Sequence, residues 1–162
     1  MLFRSLAATD KGLYRSTDAG ASFFKIPLAT GQTMDPYVWS IAATGGQGFV
    51  LSLEANAAAA SGTTDGQIFK SSDNGATWTK ATGVTKTGGV GRISVAAATG
   101  SGTNGSTTVV YAMAAVPNAT SATDLADVFK STNGGTSFTA LSAASKRYIL
   151  RFGGADGQSQ VL

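Results

Sequence analysis

Three stretches of this chain, Gly12 to Phe23, Gln67 to Trp78 and Asp127 to Phe138, align with one another without a gap. Each runs apolar, aromatic, basic, Ser, and then x-(Asp/Asn)-x-Gly-x-(Ser/Thr)-aromatic. Such self-similarity means that one supersecondary unit is being stacked, and it restricts the fold more than any other property of the chain. Each copy reads as a β-hairpin. Asp18, Asp73 and Asn133 can accept backbone hydrogen bonds in an Asx-type turn, and Gly20, Gly75 and Gly135 can take positive φ at no steric cost. Ser16, Ser71 and Ser131 can hydrogen-bond across the turn, and Phe23, Trp78 and Phe138 fall early in the returning strand, where a ring packs on its neighbour.

The acidic or amide positions of the three turns lie 55 and 60 residues apart, a period that suits four strands joined by long loops. Two further strand candidates fall between successive hairpins: Val38 to Ala43 with Gly48 to Leu53, and Arg92 to Ala97 with Thr108 to Met113. The connecting stretches Glu54 to Asp65 and Pro117 to Asp124 are rich in Ala, Ser, Thr and Asn and read as surface loops. No helical periodicity persists over a dozen residues.

Composition narrows the chemistry. The 162 residues contain no cysteine and no histidine. Disulfides, thiolate metal sites and catalysis by a Ser-His-Asp or Cys-His constellation are thereby excluded, and carboxylates or a Tyr would have to carry any reaction. The net charge of +3 comes from 12 basic and 9 acidic residues, with Lys146-Arg147 the one adjacent basic pair, so no nucleic-acid footprint is visible. The most apolar runs, such as Val109 to Val116, are strand-sized and too short to cross a membrane as helices. Met1-Leu2-Phe3-Arg4 lacks the regions of a signal peptide. No cofactor and no metal are expected.

Ser71-Ser72-Asp73-Asn74-Gly75-Ala76-Thr77-Trp78 resembles the Asp-box, or BNR repeat, in full. The first copy departs from it with Ser22 and Phe23, and the third further with Asn133. The boxes are similar to those of sialidases, of two-propeller xyloglucanases and related endoglucanases, of sortilin-type receptors and of photosystem assembly factors. The resemblance implies an all-β chain of β-propeller blades, with the boxes on the outer hairpins and ligands at the central channel. It makes the box residues structural and Trp78 a core residue. Abundant Thr, Ser, Ala and Gly with low charge resemble extracellular bacterial proteins, so the expected setting is extracellular or cell-envelope.

About 57 residues per blade gives roughly three blades, whereas closed propellers hold about four to eight. The expected units are a partial blade over residues 1–30, blades over 38–82 and 92–142, and the start of a split blade over 147–162. Complementary ends would let one subunit complete the next, with a dimer of about six blades as the expected product. The alternative is a piece of a longer propeller.

Propeller ligands sit beside the innermost strands and the loops entering them. Asp35-Pro36-Tyr37-Val38-Trp39 offers a carboxylate and two aromatic faces for a sugar ring, while Arg92, Arg147 and Arg151 lie on or beside successive inner strands and resemble the arginine cluster of sialidases. The candidate ligand-binding residues are therefore Asp35, Tyr37, Trp39, Arg92, Arg147 and Arg151. No sialidase Tyr-Glu pair can be matched, since Glu54 is the only glutamate. Glycoside hydrolysis needs two carboxylates about 5–10 Å apart, and Asp10, Asp35, Asp65, Asp124, Asp127 and Asp156, mostly in predicted turns, single out no pair. Two functions remain: a non-catalytic module binding carbohydrate or protein, and part of a secreted glycoside hydrolase.

Overall fold

Alternating apolar and polar positions bounded by Gly-rich turns build strands throughout. A computed structural model describes residues 5–28, 37–53, 66–98, 108–117 and 125–142. Among the described residues there are eleven strands and no helix. The first sheet holds β1 (Ser5–Thr9), β2 (Gly12–Ser16) and β3 (Phe24–Ile26) in sequential order. The second holds β4 (Val38–Gly45), β5 (Gly48–Leu53), β6 (Gln67–Ser71) and β7 (Thr79–Lys80). The third holds β8 (Ile93–Ala98), β9 (Val109–Ala115), β10 (Leu125–Ser131) and β11 (Thr139–Ala140). Every pairing within the sheets is antiparallel. These are three propeller blades in sequence, and among the described residues they do not close a ring.

Because strand side chains alternate between faces, each blade presents a leading face to the blade before it and a trailing face to the blade after it. Leu13, Leu28, Leu51, Leu53, Val38 and Phe69 form the core between the first and second blades, with Leu6 and Trp78 packed against it. Between the second and third, Val50 and Ile68 meet Ile93, Val110, Phe129 and Phe138. Adjacent residues Ile68 and Phe69 thus serve opposite interfaces, and the core lies between blades. Hydrogen bonds cross the second boundary too: Phe138 N donates to Thr82 O at 2.9 Å, and Thr82 N to Thr136 O at 3.2 Å.

The three repeated hairpins share one closure at their serine. The serine Oγ donates to Oδ1 of Asp18, Asp73 or Asn133 at 2.7, 2.8 and 2.8 Å, and accepts from the N–H of Gly20, Gly75 or Gly135 at 2.8, 2.9 and 2.9 Å. Those glycines have φ of +93°, +75° and +89°. Asn133 fits because a hydroxyl can give or take a hydrogen bond. Ser22 and Thr77 donate to a carboxylate oxygen at 2.5 Å, whereas Ser137 accepts from Asn133 Nδ2 at 2.8 Å. The aromatic residues of the three repeats sit one residue before the short returning strands, a little earlier than the sequence suggested. Phe138 is buried and Trp78 half-buried, but Phe23 is 44% exposed, against the expectation that its ring packs. The reason is positional: Trp78 and Phe138 lie on leading faces covered by the preceding blade, and Phe23 lies on the leading face of the first.

The Asp18 carboxyl is lowered from 3.8 to about 2, chiefly by the Ser22 hydroxyl and then the Ser22 N–H. Asp73 falls likewise to about 2, through the Thr77 hydroxyl and N–H. Folded pKa values below the ordinary one mean that this stabilisation is fully present above pH 3.8 and is lost as pH falls through about 2. Urea midpoints measured down this range should drop, and the double variant Asp18→Asn/Asp73→Asn should flatten the drop, since Asn133 shows that an amide closes the same turn.

Asp127 belongs to no turn. It is a buried strand residue beside a register shift in β10, 3% exposed, held by Lys86 Nζ at 2.7 Å. Removing the lysine takes away the ammonium that lies 2.7 Å from this buried carboxylate. Lys86→Met should cost about 2–3 kcal/mol in a urea titration, below the range for fully enclosed pairs because Lys86 is 40% exposed.

Candidate functional site

The candidate site is built on the inner edges of the second and third blades. β4 and β8 are the first strands of their sheets in chain order and lie at one edge of each. Ser40 Oγ on β4 accepts the N–H of Val95 on β8 at 3.2 Å, which ties the two edges together. Where β4 begins, its register against β5 steps from Val38–Leu53 to Ser40–Ser52, leaving Trp39 as an extra residue in a β-bulge. A bulge re-aims the side chain it carries. Trp39 is 45% exposed, and Tyr37, two residues earlier, is 40% exposed.

Arg92 immediately precedes β8 and is held through its backbone, Ala115 N donating to Arg92 O at 2.8 Å and Gly91 N to Ala115 O at 2.8 Å. Gly91 permits that approach, because a Cβ there would lie 2.5 Å from Val116 O. The guanidinium of Arg92 lies over the Trp39 ring, 3.7 Å from its centroid. An exposed cation–π contact of this kind contributes about 0.5–1 kcal/mol and holds the indole at a fixed orientation. The result is an exposed indole stacked with a guanidinium, which joins two inner edges through residues 53 positions apart in sequence, with the exposed Tyr37 two residues before Trp39.

Of the six residues expected to bind ligand, Tyr37, Trp39 and Arg92 are described, and the structure stacks the last two. Asp35, Arg147 and Arg151 lie outside the described residues, as do Glu54, Asp65, Asp124 and Asp156. The described carboxylates are committed elsewhere: Asp10 is exposed in the β1–β2 turn, 3.9 Å from Lys11, Asp18 and Asp73 hold their turns, and Asp127 is paired with Lys86. Among the described residues no group of His, Cys, Asp and Glu could hold a metal ion. No helix among them is long and apolar enough to cross a membrane.

A polar groove missed in the sequence opens at the opposite end of the sheets, lined by Thr44, Gln47, Lys70, Ser72, Thr108 and Asn133. Lys70 bridges it, donating to Thr136 Oγ1 at 2.8 Å and Asn133 O at 3.4 Å. Arg15, its counterpart in the first copy, donates through Nε to Asn74 O at 3.0 Å. In the first two copies the recurring basic residue of the motif therefore fastens its blade to the turn of the next.

No protein-family model matches the chain, and no curated protein does. Solved structures do match its fold. An ancestral GH74 enzyme superposes with a TM-score of 0.54 at 22% identity, over 85% of this chain and 17% of that one. The GH74 xyloglucanase from Xanthomonas campestris gives 0.51 at 17% identity, over 86% of this chain and 19% of that one. A protein of unknown function from Dyadobacter fermentans gives 0.50 at 21% identity, over 78% and 36%. The chain thus spans about a fifth or less of the two enzymes whose blades it resembles, and likeness at these identities concerns the fold.

Proposed function

We propose that this chain is Asp-box propeller material that binds carbohydrate at the inner-strand edge, outside the cell, through the faces of Tyr37 and Trp39 with Arg92 donating hydrogen bonds. The observation that carries the reading is the bulge-aimed, 45% exposed Trp39 held by Arg92 at 3.7 Å, with Tyr37, 40% exposed, two residues earlier in the chain. Large apolar rings are normally covered, and amphipathic rings left open and fixed in orientation suit stacking on a sugar. The likeness to GH74 blades makes a β-glucan the first ligand to try.

Trp39 and Trp78 are the only tryptophans. Trp78→Phe, the residue found at that place in both other copies, leaves Trp39 as sole fluorophore. Titration with xyloglucan oligosaccharides should shift its emission saturably, and Tyr37→Ala and Arg92→Ala should each weaken binding by about five- to tenfold, a loss of about 1–1.4 kcal/mol. An unchanged spectrum at millimolar sugar contradicts the proposal.

A second reading, a segment of a secreted glycoside hydrolase, is favoured by the partial coverage of two GH74 enzymes. It requires a carboxylate pair, with Asp35 as the one acidic residue adjoining the aromatic cluster in sequence. Release of reducing ends from xyloglucan that disappears in Asp35→Asn supports it, and binding without release favours the non-catalytic module.

A further inference from the structure

The blade-to-blade joint occurs twice among the described residues, and its strand residue, basic partner and seated glycine occupy equivalent places in the repeat. At the first joint, a Cβ added at Gly75 would lie 2.8 Å from Leu6 Cδ2, so the second blade's turn sits on Leu6, and Arg15, opposite Leu6 in the β1–β2 register, bonds that turn. At the second, a Cβ at Gly135 would lie 2.3 Å from Val50 Cγ1, and Lys70, opposite Val50, bonds the turn. Each joint is thus a seat, made of one β-strand residue and its basic cross-strand partner, and a turn that fills it.

The register of the third blade supplies the next seat. Tyr111 stands opposite Lys130, the equivalents of Val50 and Lys70. Tyr111 is 40% exposed, Met113 on the same face is 37% exposed, and Lys130 Nζ lies 5.8 Å from the Tyr111 ring centroid. The first blade supplies the complementary part. A Cβ at Gly20 would meet nothing within 4 Å, and Phe23, whose counterparts Trp78 and Phe138 pack at the two joints, is 44% exposed.

We infer that the trailing face of the third blade, Tyr111, Met113 and Lys130, receives the Asp18–Phe23 turn of a second copy of this chain, repeating head to tail the joint already made twice within it. The occupant follows from continuity. The free turn has the same hydrogen-bonded shape as the two that are seated, and Lys130 carries the charge that at Lys70 and Arg15 finds turn carbonyls. Such a contact joins two different faces, and two copies related by a two-fold axis close a ring by making it twice. The inference rests on the fold and is independent of the carbohydrate reading.

Light scattering after size exclusion, on the full chain at about 100 μM, tests it. The expected mass is close to twice 16.3 kDa, and Phe23→Asp and Tyr111→Glu should each shift the particle towards the monomer, with a dissociation constant raised at least tenfold. Both residues are exposed, so far-UV circular dichroism and urea midpoints measured at sub-micromolar concentration should match the parent. Mixing the two variants should restore an open dimer, because each retains one good face, a result that an isologous contact through either face alone does not give. A monomeric parent, or a dimer that survives both substitutions in a folded chain, overturns the inference. Sugar titration of Trp39 is read separately, so either proposal can fail alone.

Discussion

Gly135→Ala is expected to lower stability by about 3–4 kcal/mol, the sum of holding an L-residue at positive φ and overpacking a filled joint. Both contributions are local to one atom. Gly135 has φ +89°, and its added Cβ would lie 2.3 Å from Val50 Cγ1, in a core where Val50 is fully buried. Gly20→Ala is the internal control: φ is +93°, yet nothing lies within 4 Å, so it should cost only the backbone share, about 1–2 kcal/mol. Urea denaturation of the two variants at sub-micromolar concentration measures the difference. Equal losses would mean that the third turn is not seated on the second blade.

Phe138→Ala carries the second large effect. The ring is 4% exposed and belongs to the core between the second and third blades. Truncation should cost about 3–4 kcal/mol through lost transfer energy and the cavity left behind, read from the urea midpoint, with Phe138→Leu retaining most of the stability as a check on folding. Phe23→Ala, at the same place in the repeat but 44% exposed, should change stability by no more than about 0.5 kcal/mol in the same titration run at sub-micromolar concentration. One motif position thus has two energies, decided by whether another blade covers it.

This contrast marks where the sequence stops being legible. The three hairpins could be read directly because Ser, Asp or Asn, and Gly act within four residues of one another, and their hydrogen bonds formed as the turn chemistry required. The strands between them were also legible, from alternation and length. What lay beyond reach depended on partners far along the chain. Phe23 reads like Trp78 and Phe138, and only the arrangement of blades separates them. Lys86 and Asp127 are 41 residues apart, so nothing local announced their pairing. At the candidate site, Tyr37, Trp39 and Arg92 could be nominated because inner-strand positions are predictable from the repeat. The bulge that sets Trp39 against Arg92 leaves no periodic trace, since one extra residue shifts register without changing composition. The basic residue of the motif was visible in all three copies but had no role until Arg15 and Lys70 were seen bonding the next turn. Its recurrence was the available signal.

The central claim, that each turn of the repeat sits on a defined residue of the preceding blade, can be measured without any substitution. With methyl-labelled Leu and Val, a nuclear Overhauser experiment on the 162-residue chain should give cross-peaks from Leu6 δ-methyls to the α-protons of Gly75, and from Val50 γ-methyls to those of Gly135. Both peaks present would establish two equivalent blade joints. Their absence, in a spectrum where the methyl and glycine signals are assigned and sharp, would contradict the blade packing from which the candidate site and the head-to-tail contact are derived.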